Sequence, residues 1–281
     1  MLRTLYQVLS TQYVVRIVRS LRAPHSALRT TPSPLRTPHS ARPTPYQPLS
    51  TQYLALSLLL GLASGCGPTN LGPGVHEPSF DDQMRSVTAG QSEGIQVSAT
   101  PLTDDDLAGI GAASALRVLI VENSSSHISA AGIRHLAGLP NLEHLRLRGP
   151  GVDDAALAEI AKLTSLQILN IPRGEFTDAG LQQLKSLPNL VQLRFGSPHV
   201  TDAGMTTLAE LPALRRLHLI DVPITDEGLR VLATIDQLES LYIDGAALSD
   251  SAYDTLFRQR PNLHVHINQQ HHDRDPHSHA H

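Results

Sequence analysis

The stretch TDAGLQQLKSLPNL, residues 177–190, decides the fold because it occurs several times with small changes. TDAGMTTLAELPAL follows at 201–214, and ITDEGLRVLATIDQL follows at 224–238. The apolar residue that precedes each motif recurs every 24 residues, and a fixed period of this length is the signature of a stacked repeat architecture. The series consists of Ile128, Val152, Phe176, Val200, Ile224 and Leu248, with Leu102 a further 26 residues upstream.

Each repeat combines a strand pattern with a helix pattern. The L-x-x-L-x-L motif, clearest in LEHLRL at 142–147, alternates at its end and predicts a short strand whose leucines face a core. The second half, AGLQQLKSL at 179–187, spaces apolar residues three apart and favours a short helix with one buried stripe. Thr177 and Asp178 stand where this helix begins, so we expect both side chains to cap it. Pro188 then ends the helix.

This pattern resembles the leucine-rich-repeat superfamily, and within it the bacterial proteins with I-T-D-x-G-L repeats. It is also similar to the cysteine-containing subtype of eukaryotic F-box proteins. The resemblance covers residues 92–268, about seven repeats, with a capping strand in GIQVS at 94–98 and a final edge strand at 263–267. It implies an α/β fold, a right-handed solenoid (horseshoe) with a parallel concave sheet and short convex helices. The Asn or Cys that the family places after L-x-x-L-x-L is replaced here by Ser124, Pro150, Gly174, Pro198, Val222 and Ala246.

The N-terminal part of the chain has the features of an export signal. Residues 1–53 are rich in Pro, Ser, Thr and Arg without apolar periodicity, which predicts disorder. Residues 54–66 combine a signal-peptide h-region, the apolar run Leu54–Ala63 that is too short to span a membrane, with the small residues that precede Cys66. This resembles the lipobox of bacterial lipoproteins, which implies cleavage before Cys66, a diacylglycerol on its sulfur and export to the cell envelope. By the same resemblance, Gly67 favours the outer membrane. Residues 67–91 predict a flexible tether.

The charge and the cysteine content limit the functions and the covalent bonds that this chain can have. Residues 1–65 carry seven arginines and no acid. The rest therefore has 15 basic against 26 acidic residues, a formal charge of −11, whereas the whole 281-residue chain has −4. A net-acidic body argues against nucleic-acid binding, which needs cations to neutralise phosphates. The single cysteine excludes an internal disulfide. We expect a monomer.

The x positions of the strand motif predict a binding surface. They should face the concave side in lanes, with neighbouring strands about 4.8 Å apart. The central lane begins at Ile120, and its middle is cationic, interleaved with fewer acids such as Glu122 and Asp244. Such a lane can recognise carboxylates or an acidic protein surface, and the alternative is that its polar residues are only solvated. The candidate ligand-binding residues are Arg146, Arg148, Asn170, Arg194, Arg215, Arg216, His218 and Tyr242.

Residues 269–281 predict a disordered, histidine-rich tail. Clustered neutral imidazoles bind Zn, Ni or Cu ions, here loosely because no rigid spacing fixes one geometry. The alternative is a low-complexity tail without a ligand. No other cofactor is expected. The candidate metal ligands are His271, His272, His277, His279 and His281.

The sequence gives little support to catalysis. It contains no phosphate-binding glycine loop, no dinucleotide fingerprint and no nucleophile elbow. The carboxylates of Asp104–Asp106 fall where every repeat carries capping acids, so we interpret them as structural. The leading hypothesis is a non-enzymatic, lipid-anchored envelope protein that binds a protein or other macromolecule through the concave sheet. Two alternatives stay open, a metal-sequestering envelope protein that acts through its tail and an intracellular F-box-like adaptor or effector.

Overall fold

The computed structural model describes residues 77–271 of the chain. In this range one nine-stranded sheet follows the order of the chain. The first eight strands are parallel and the ninth is antiparallel. Parallel strands alternate with helices, which confirms the predicted α/β leucine-rich-repeat solenoid.

Each repeat contributes one strand and one short helix. The strands are β1 Gly94–Val97, β2 Val118–Val121, β3 His144–Leu147, β4 Ile168–Ile171, β5 Gln192–Phe195, β6 Arg216–Ile220, β7 Ser240–Asp244, β8 His264–Ile267 and β9 Gln270–His271. The helices are α1 Phe80–Thr88, α2 Ala130–Arg134, α3 Asp154–Ile160, α4 Asp178–Gln183, α5 Asp202–Ala209, α6 Asp226–Leu232 and α7 Asp250–Gln259. In the first repeat two 3-10 helices, Asp105–Leu107 and Ile110–Ala112, replace the α-helix. Among the described residues, no helix combines the length and the apolarity needed to cross a bilayer.

The strands direct alternate side chains into one continuous aliphatic core. In β3, Leu145 is fully buried and Leu147 is 2% exposed, whereas His144 and Arg146 on the opposite face stay partly exposed. Full burial of one leucine contributes about 1.5–3 kcal/mol. Because a single repeat cannot bury both its faces, this stabilisation depends on stacking against neighbouring repeats.

At five positions along the solenoid, a carboxylate at the start of one helix binds the cap of the next helix, one repeat along. Asp178 accepts hydrogen bonds from the backbone N–H of Thr201 at 2.9 Å and from its hydroxyl at 2.7 Å. The Thr201 hydroxyl oxygen in turn accepts from the N–H of Ala203 and so caps its own helix. We call this arrangement the Asp bracket. It recurs at Asp104–Ser129, Asp154–Thr177, Asp202–Thr225 and Asp226–Ser249.

The Asp bracket revises the expected role of these acids. Thr177 caps its own helix, as predicted, but the Asp178 carboxylate binds the following repeat instead of its own backbone. The hydroxyl of Ser249, together with its N–H, lowers the pKa of Asp226, so this carboxylate is ionised when it makes the bracket. Between α2 and α3, where Ala130 stands at the Asp position, the bracket is absent from the described contacts.

The glycine of T-D-x-G leaves room for the Asp bracket. A Cβ on Gly180 would lie 2.1 Å from Oδ1 of Asp154, and a Cβ on Gly204 would lie 2.5 Å from Oδ1 of Asp178. Real Cβ atoms do not approach so closely, so the carboxylate would have to move. The recurring T-D-x-G motif therefore specifies a contact between repeats.

The sheet is covered at its first edge by a helix that the sequence pattern does not predict. Residues 80–88, assigned there to a tether through residue 91, form α1, and Ser79 caps it by accepting a backbone N–H at 3.2 Å. The side chain of Gln83 bonds both backbone groups of Gln96 in β1, at 2.7 and 2.8 Å. Sheet edges need such protection because they present unpaired backbone groups. The ordered region thus begins before residue 92, and the prediction of a flexible tether is wrong for this stretch.

The far end of the sheet also differs from expectation. The predicted final strand β8 is followed by a reversal at Asn268 and Gln269, whose φ angles are 49° and 64°. The chain then pairs antiparallel with β8 as β9. The side-chain oxygen of Asn268 accepts from the N–H of Gly245 at 3.0 Å and ties the reversal to the preceding repeat. The edge strand is therefore partly covered.

Two buried serines act at the turns where the family carries Asn or Cys. The hydroxyl oxygen of Ser126 accepts the backbone N–H of Leu102, one repeat earlier, at 2.9 Å. The hydroxyl of Ser197 donates to the carbonyl of Phe176 at 2.6 Å. Side chains of another type thus satisfy buried backbone groups at these two turns.

We predict that Gly180→Ala destabilises the domain because the new methyl group collides with the Asp154 carboxylate. Overpacking of this kind costs about 1–3 kcal/mol, which a lower urea midpoint in circular dichroism would report. Gly138→Ala is the matched control, since its Cβ would meet nothing within 4 Å. Equal midpoints for the two variants would contradict the role of the bracket.

Candidate functional site

The strand register aligns the predicted lane on the concave face, the side of the sheet away from the helices. Its members are successive Cα partners from β2 to β7, so each stands about 4.8 Å from the next. Arg216 lies in the adjacent lane, as the partner of Gln192. The lane consists of Ile120, Arg146, Asn170, Arg194, His218 and Tyr242.

Arg146 and Arg148 share one carboxylate. Nε of Arg146 lies 3.0 Å from Oε1 of Glu122, although the geometry is not that of a hydrogen bond. Nη1 of Arg148 lies 3.7 Å from Oε2 of the same side chain. The Arg146 side chain is only 26% exposed, so water screens its charge poorly. Two guanidinium groups thus face a single counter-charge.

Arg194 contacts a histidine instead of an acid. Its Nε donates to Nδ1 of His218 at 3.1 Å, and Nε2 of His218 lies 2.9 Å from Oδ2 of Asp244. Because Nδ1 accepts, this pattern assigns the proton to Nε2 and makes the imidazole neutral. Burial lowers the pKa of His218, and Arg194 adds to this effect while Asp244 opposes it. The other oxygen of Asp244 accepts from the N–H of Gln269 at 3.1 Å. The C-terminal reversal therefore helps to hold Asp244 in contact with His218.

Several polar groups of the concave face lack partners among the described residues. Nε of Arg146, Oδ1 of Asn170 and Nε of Arg216 are buried without a hydrogen bond. Neither Arg194 nor Arg216 forms an ion pair with a carboxylate of residues 77–271. Buried polar groups are normally bonded, and each that is not costs about 1–3 kcal/mol. The face therefore has more N–H donors than acceptors, and a ligand with carboxylates would supply the acceptors.

The pKa shifts of the basic residues on the concave face reflect the same shortage of acidic partners. Burial lowers the pKa of Arg146, with repulsion from Arg148 adding to it and Glu122 opposing it. Burial also lowers the pKa of Arg194, and the charge of Arg146 contributes. Burial, followed by repulsion from Arg146, lowers the pKa of His144 to about 4. Arginine stays protonated at neutral pH. Its charged form is nevertheless destabilised here, and a bound anion would relieve this.

At the margins of the concave face, the side chains have closer partners than at its centre. Nη1 of Arg215 lies 3.3 Å from Oε1 of Glu239. The ring of Tyr242 stacks on His266, with centroids 4.3 Å apart and planes 12° apart. Of the predicted residues, Arg215 and Tyr242 therefore lie at the margins. The central group consists of Arg146, Arg148, Asn170, Arg194, Arg216 and His218.

The pairing of His218 with Asp244 is not predicted from the sequence, where Asp244 is only an acid interleaved with the cationic lane. The two residues are 26 apart, one repeat plus two positions. That spacing predicts a diagonal neighbour on the next strand and is the signal that would have revealed the contact. Cys66 and tail residues 272–281 lie outside the described residues, and of His271 only the backbone in β9 is described.

Comparisons with known proteins agree with this architecture. No protein-family model matches the chain, and no curated protein does. Among solved structures, the chain is similar to an internalin C2 from Listeria monocytogenes, with 20% identity and a TM-score of 0.51 over 72% of this chain and 89% of that chain. The chain is a leucine-rich-repeat solenoid. An identity of 20% shows the fold alone.

We predict that His144 stays neutral until the pH falls to about 4, because its lowered pKa means that protonation requires more acid than an ordinary histidine at 6.5. Histidine ring signals followed by NMR across pH 3–8 would show this. Arg146→Gln should raise the pKa of His144 only in part, since burial is the larger cause. A titration near 6.5 in the unmodified protein would contradict the burial of this ring.

Proposed function

We propose that this solenoid is a non-enzymatic binding protein whose concave face takes a carboxylate-rich segment of another protein. The observation that carries the proposal is the excess of N–H donors around Arg194 and Arg216, both without a carboxylate partner among the described residues. Arginine binds carboxylates through two parallel hydrogen bonds, which adds geometric specificity to the attraction.

The extent of the cationic centre favours a macromolecular ligand over a small anion. From Arg146 on β3 to Arg216 on β6 it crosses three strand spacings, roughly 14 Å at about 4.8 Å each. An acidic peptide segment can place several carboxylates along such a distance, whereas one small carboxylate contacts only one or two of these groups. The margin at Tyr242 adds a half-buried aromatic ring, a residue type enriched in protein interfaces.

The hydrogen bonds of the site support binding over catalysis. His218 is the imidazole that contacts a carboxylate within the central group, which is the usual setting of a general base. Its Nδ1 already accepts from Arg194 and its Nε2 faces Asp244, so neither nitrogen is available to a substrate. We therefore assign His218 to holding the Arg194 side chain in place.

We also propose that the protein is exported and anchored by a lipid on Cys66 in a bacterial cell envelope. Gly67 favours the outer membrane. Its support is the resemblance of residues 54–66 to a lipoprotein signal peptide. The anchor would attach the solenoid to the membrane surface as a monomer and leave the sheet accessible to partners. An intracellular adaptor requires that Cys66 carry no lipid, so lipidation decides between the two.

We predict that Arg194→Glu with Arg216→Glu weakens capture of the partner from envelope extracts by at least about 100-fold, because reversal of desolvated interface charges typically costs 2–5 kcal/mol. Capture by the unmodified protein should also decline steeply as salt rises. Immobilised protein, eluates compared by mass spectrometry and dilution series of the extract would measure both effects.

The matched control is Arg230→Glu with Arg258→Glu, which makes the same change of charge on helices α6 and α7. This variant should capture the same partner as the unmodified protein. Equal capture by all three proteins would refute the concave-face site. If the control alone loses capture, the partner binds the helical side.

We predict that the full-length protein, expressed in a bacterium with lipoprotein processing, incorporates radiolabelled palmitate only when Cys66 is present. Cys66→Ala removes the sulfur that would carry the lipid and should abolish labelling, whereas Gly67→Ala keeps the cysteine and should retain it. Labelling of neither the unmodified protein nor Gly67→Ala would exclude the anchor.

A further inference from the structure

Two strands of the sheet carry aliphatic side chains on both of their faces. β2 reads Val-Leu-Ile-Val at Val118–Val121 and β4 reads Ile-Leu-Asn-Ile at Ile168–Ile171, whereas β3 and β5 alternate apolar residues with polar ones. A strand with one face in water is expected to alternate, and an apolar run is typical of a strand covered on both faces. The concave face therefore has aliphatic side chains where neighbouring strands place polar ones.

We call Val118, Ile120 and Ile168 the aliphatic patch. They lie on the concave side because they alternate with Leu119 and Leu169, which are fully buried in the core. None of the three belongs to the continuous core that the leucines of residues 77–271 form. Val118 and Ile168 are half-buried, so part of each side chain faces solvent, and Ile120 is 5% exposed. The packing that holds the repeats together therefore does not explain why these residues are apolar.

His144 joins Val118 and Ile168 into one surface. It is the Cα partner of both, since β3 lies between β2 and β4. Burial, followed by repulsion from Arg146, lowers the pKa of His144 to about 4, so the ring is neutral at physiological pH. A neutral imidazole between two aliphatic side chains does not interrupt the patch with a charge.

The aliphatic patch borders the cationic centre. Ile120 is the Cα partner of Arg146, and Ile168 lies two residues before Asn170 on β4. Two residues of a strand span about 6.6 Å, which is the distance between the lane of His144 and the central lane. One ligand segment can therefore contact aliphatic and cationic side chains together.

We infer that the segment bound by the concave face carries aliphatic side chains next to its carboxylates, with the former on the aliphatic patch and the latter on the cationic centre. This inference rests on the proposed carboxylate binding and specifies the kind of partner. Charge complementarity fixes the position of the segment, since carboxylates over the arginines place their neighbours over the patch. An extended segment that crosses the strands directs successive side chains to opposite sides, so an alternation of acidic and aliphatic residues matches the two lanes.

Aliphatic contact contributes to affinity in two ways. Removal of apolar surface from water is favourable in itself. It also excludes water from the border of the arginines, where the attraction between opposite charges becomes stronger as the local dielectric constant falls. An acidic segment without aliphatic side chains obtains neither contribution, so the concave face discriminates among acidic ligands.

Fluorescence anisotropy with two labelled peptides of equal length and charge tests the inference on the full chain. One peptide alternates Glu with Val, and the other alternates Glu with Ser. The unmodified protein should bind the Glu–Val peptide at least about tenfold more tightly, because valine buries apolar carbons that serine lacks. The preference should persist in about 1 M NaCl, where a Debye length of about 3 Å screens the attraction between charges.

Val118→Thr with Ile168→Thr should bring the affinities for the two peptides close to equality. Threonine keeps the β-branched shape that strands favour and replaces aliphatic carbons with a hydroxyl group. Val231→Thr, on helix α6, makes the same type of change away from the sheet and should keep the preference. Circular dichroism of each variant verifies that it is folded.

The outcomes separate this inference from the proposal on which it rests. Measurable but equal affinity of the unmodified protein for both peptides would overturn the inference and leave carboxylate binding intact. A dimer in sedimentation that the double variant dissociates would also overturn it, because the patch would then bind a second copy of the chain. A preference that the folded double variant retains would do the same. Binding of neither peptide would refute the carboxylate proposal, and this inference with it.

Discussion

The Asp bracket is the contact on which the regularity of this solenoid depends. Burial of leucine draws successive repeats together, but apolar contacts are not directional and do not by themselves fix how one coil sits on the next. The bracket adds direction, because the Asp178 carboxylate must meet both the N–H and the hydroxyl of Thr201. Gly204 permits this approach, since any Cβ there would displace the carboxylate. Motif, period and helix stacking thus have one physical cause.

A fixed stacking of repeats has a consequence on the opposite side of the sheet. Strand spacing sets the distance between residues of a lane, so the side chains of Arg146, Asn170 and Arg194 cannot spread apart to reduce repulsion. The lowered arginine pKa values reflect this, with burial as the main cause. In a flexible loop the same residues would move into water. On a rigid sheet they stay poorly solvated, and a ligand that neutralises them gains the corresponding free energy.

Features that recur in every repeat are predicted well from the sequence. Contacts that occur only once in the chain are predicted poorly. The strand motif and its 24-residue period specify which side chains are buried and which share a lane, as the register of Arg194 with His218 shows. Helix α1 escapes prediction because its residues are polar and its main contact, from Gln83 to Gln96, joins an edge found once in the chain. The candidate site is intermediate. Its members follow from the period, whereas the contact of Arg194 with a histidine depends on side-chain rotamers that a sequence does not specify.

The helical side and the concave face of the solenoid differ in charge. After residue 65 the chain has a formal charge of −11, yet the centre of the concave face is cationic. The bracket explains much of this contrast, because it places an aspartate at the start of one helix after another, on the side remote from the lane. An acidic ligand is therefore repelled by the helical side and attracted to the sheet, which favours one orientation of approach. The acids that hold the repeats together would then also direct the ligand to the face with the cationic centre.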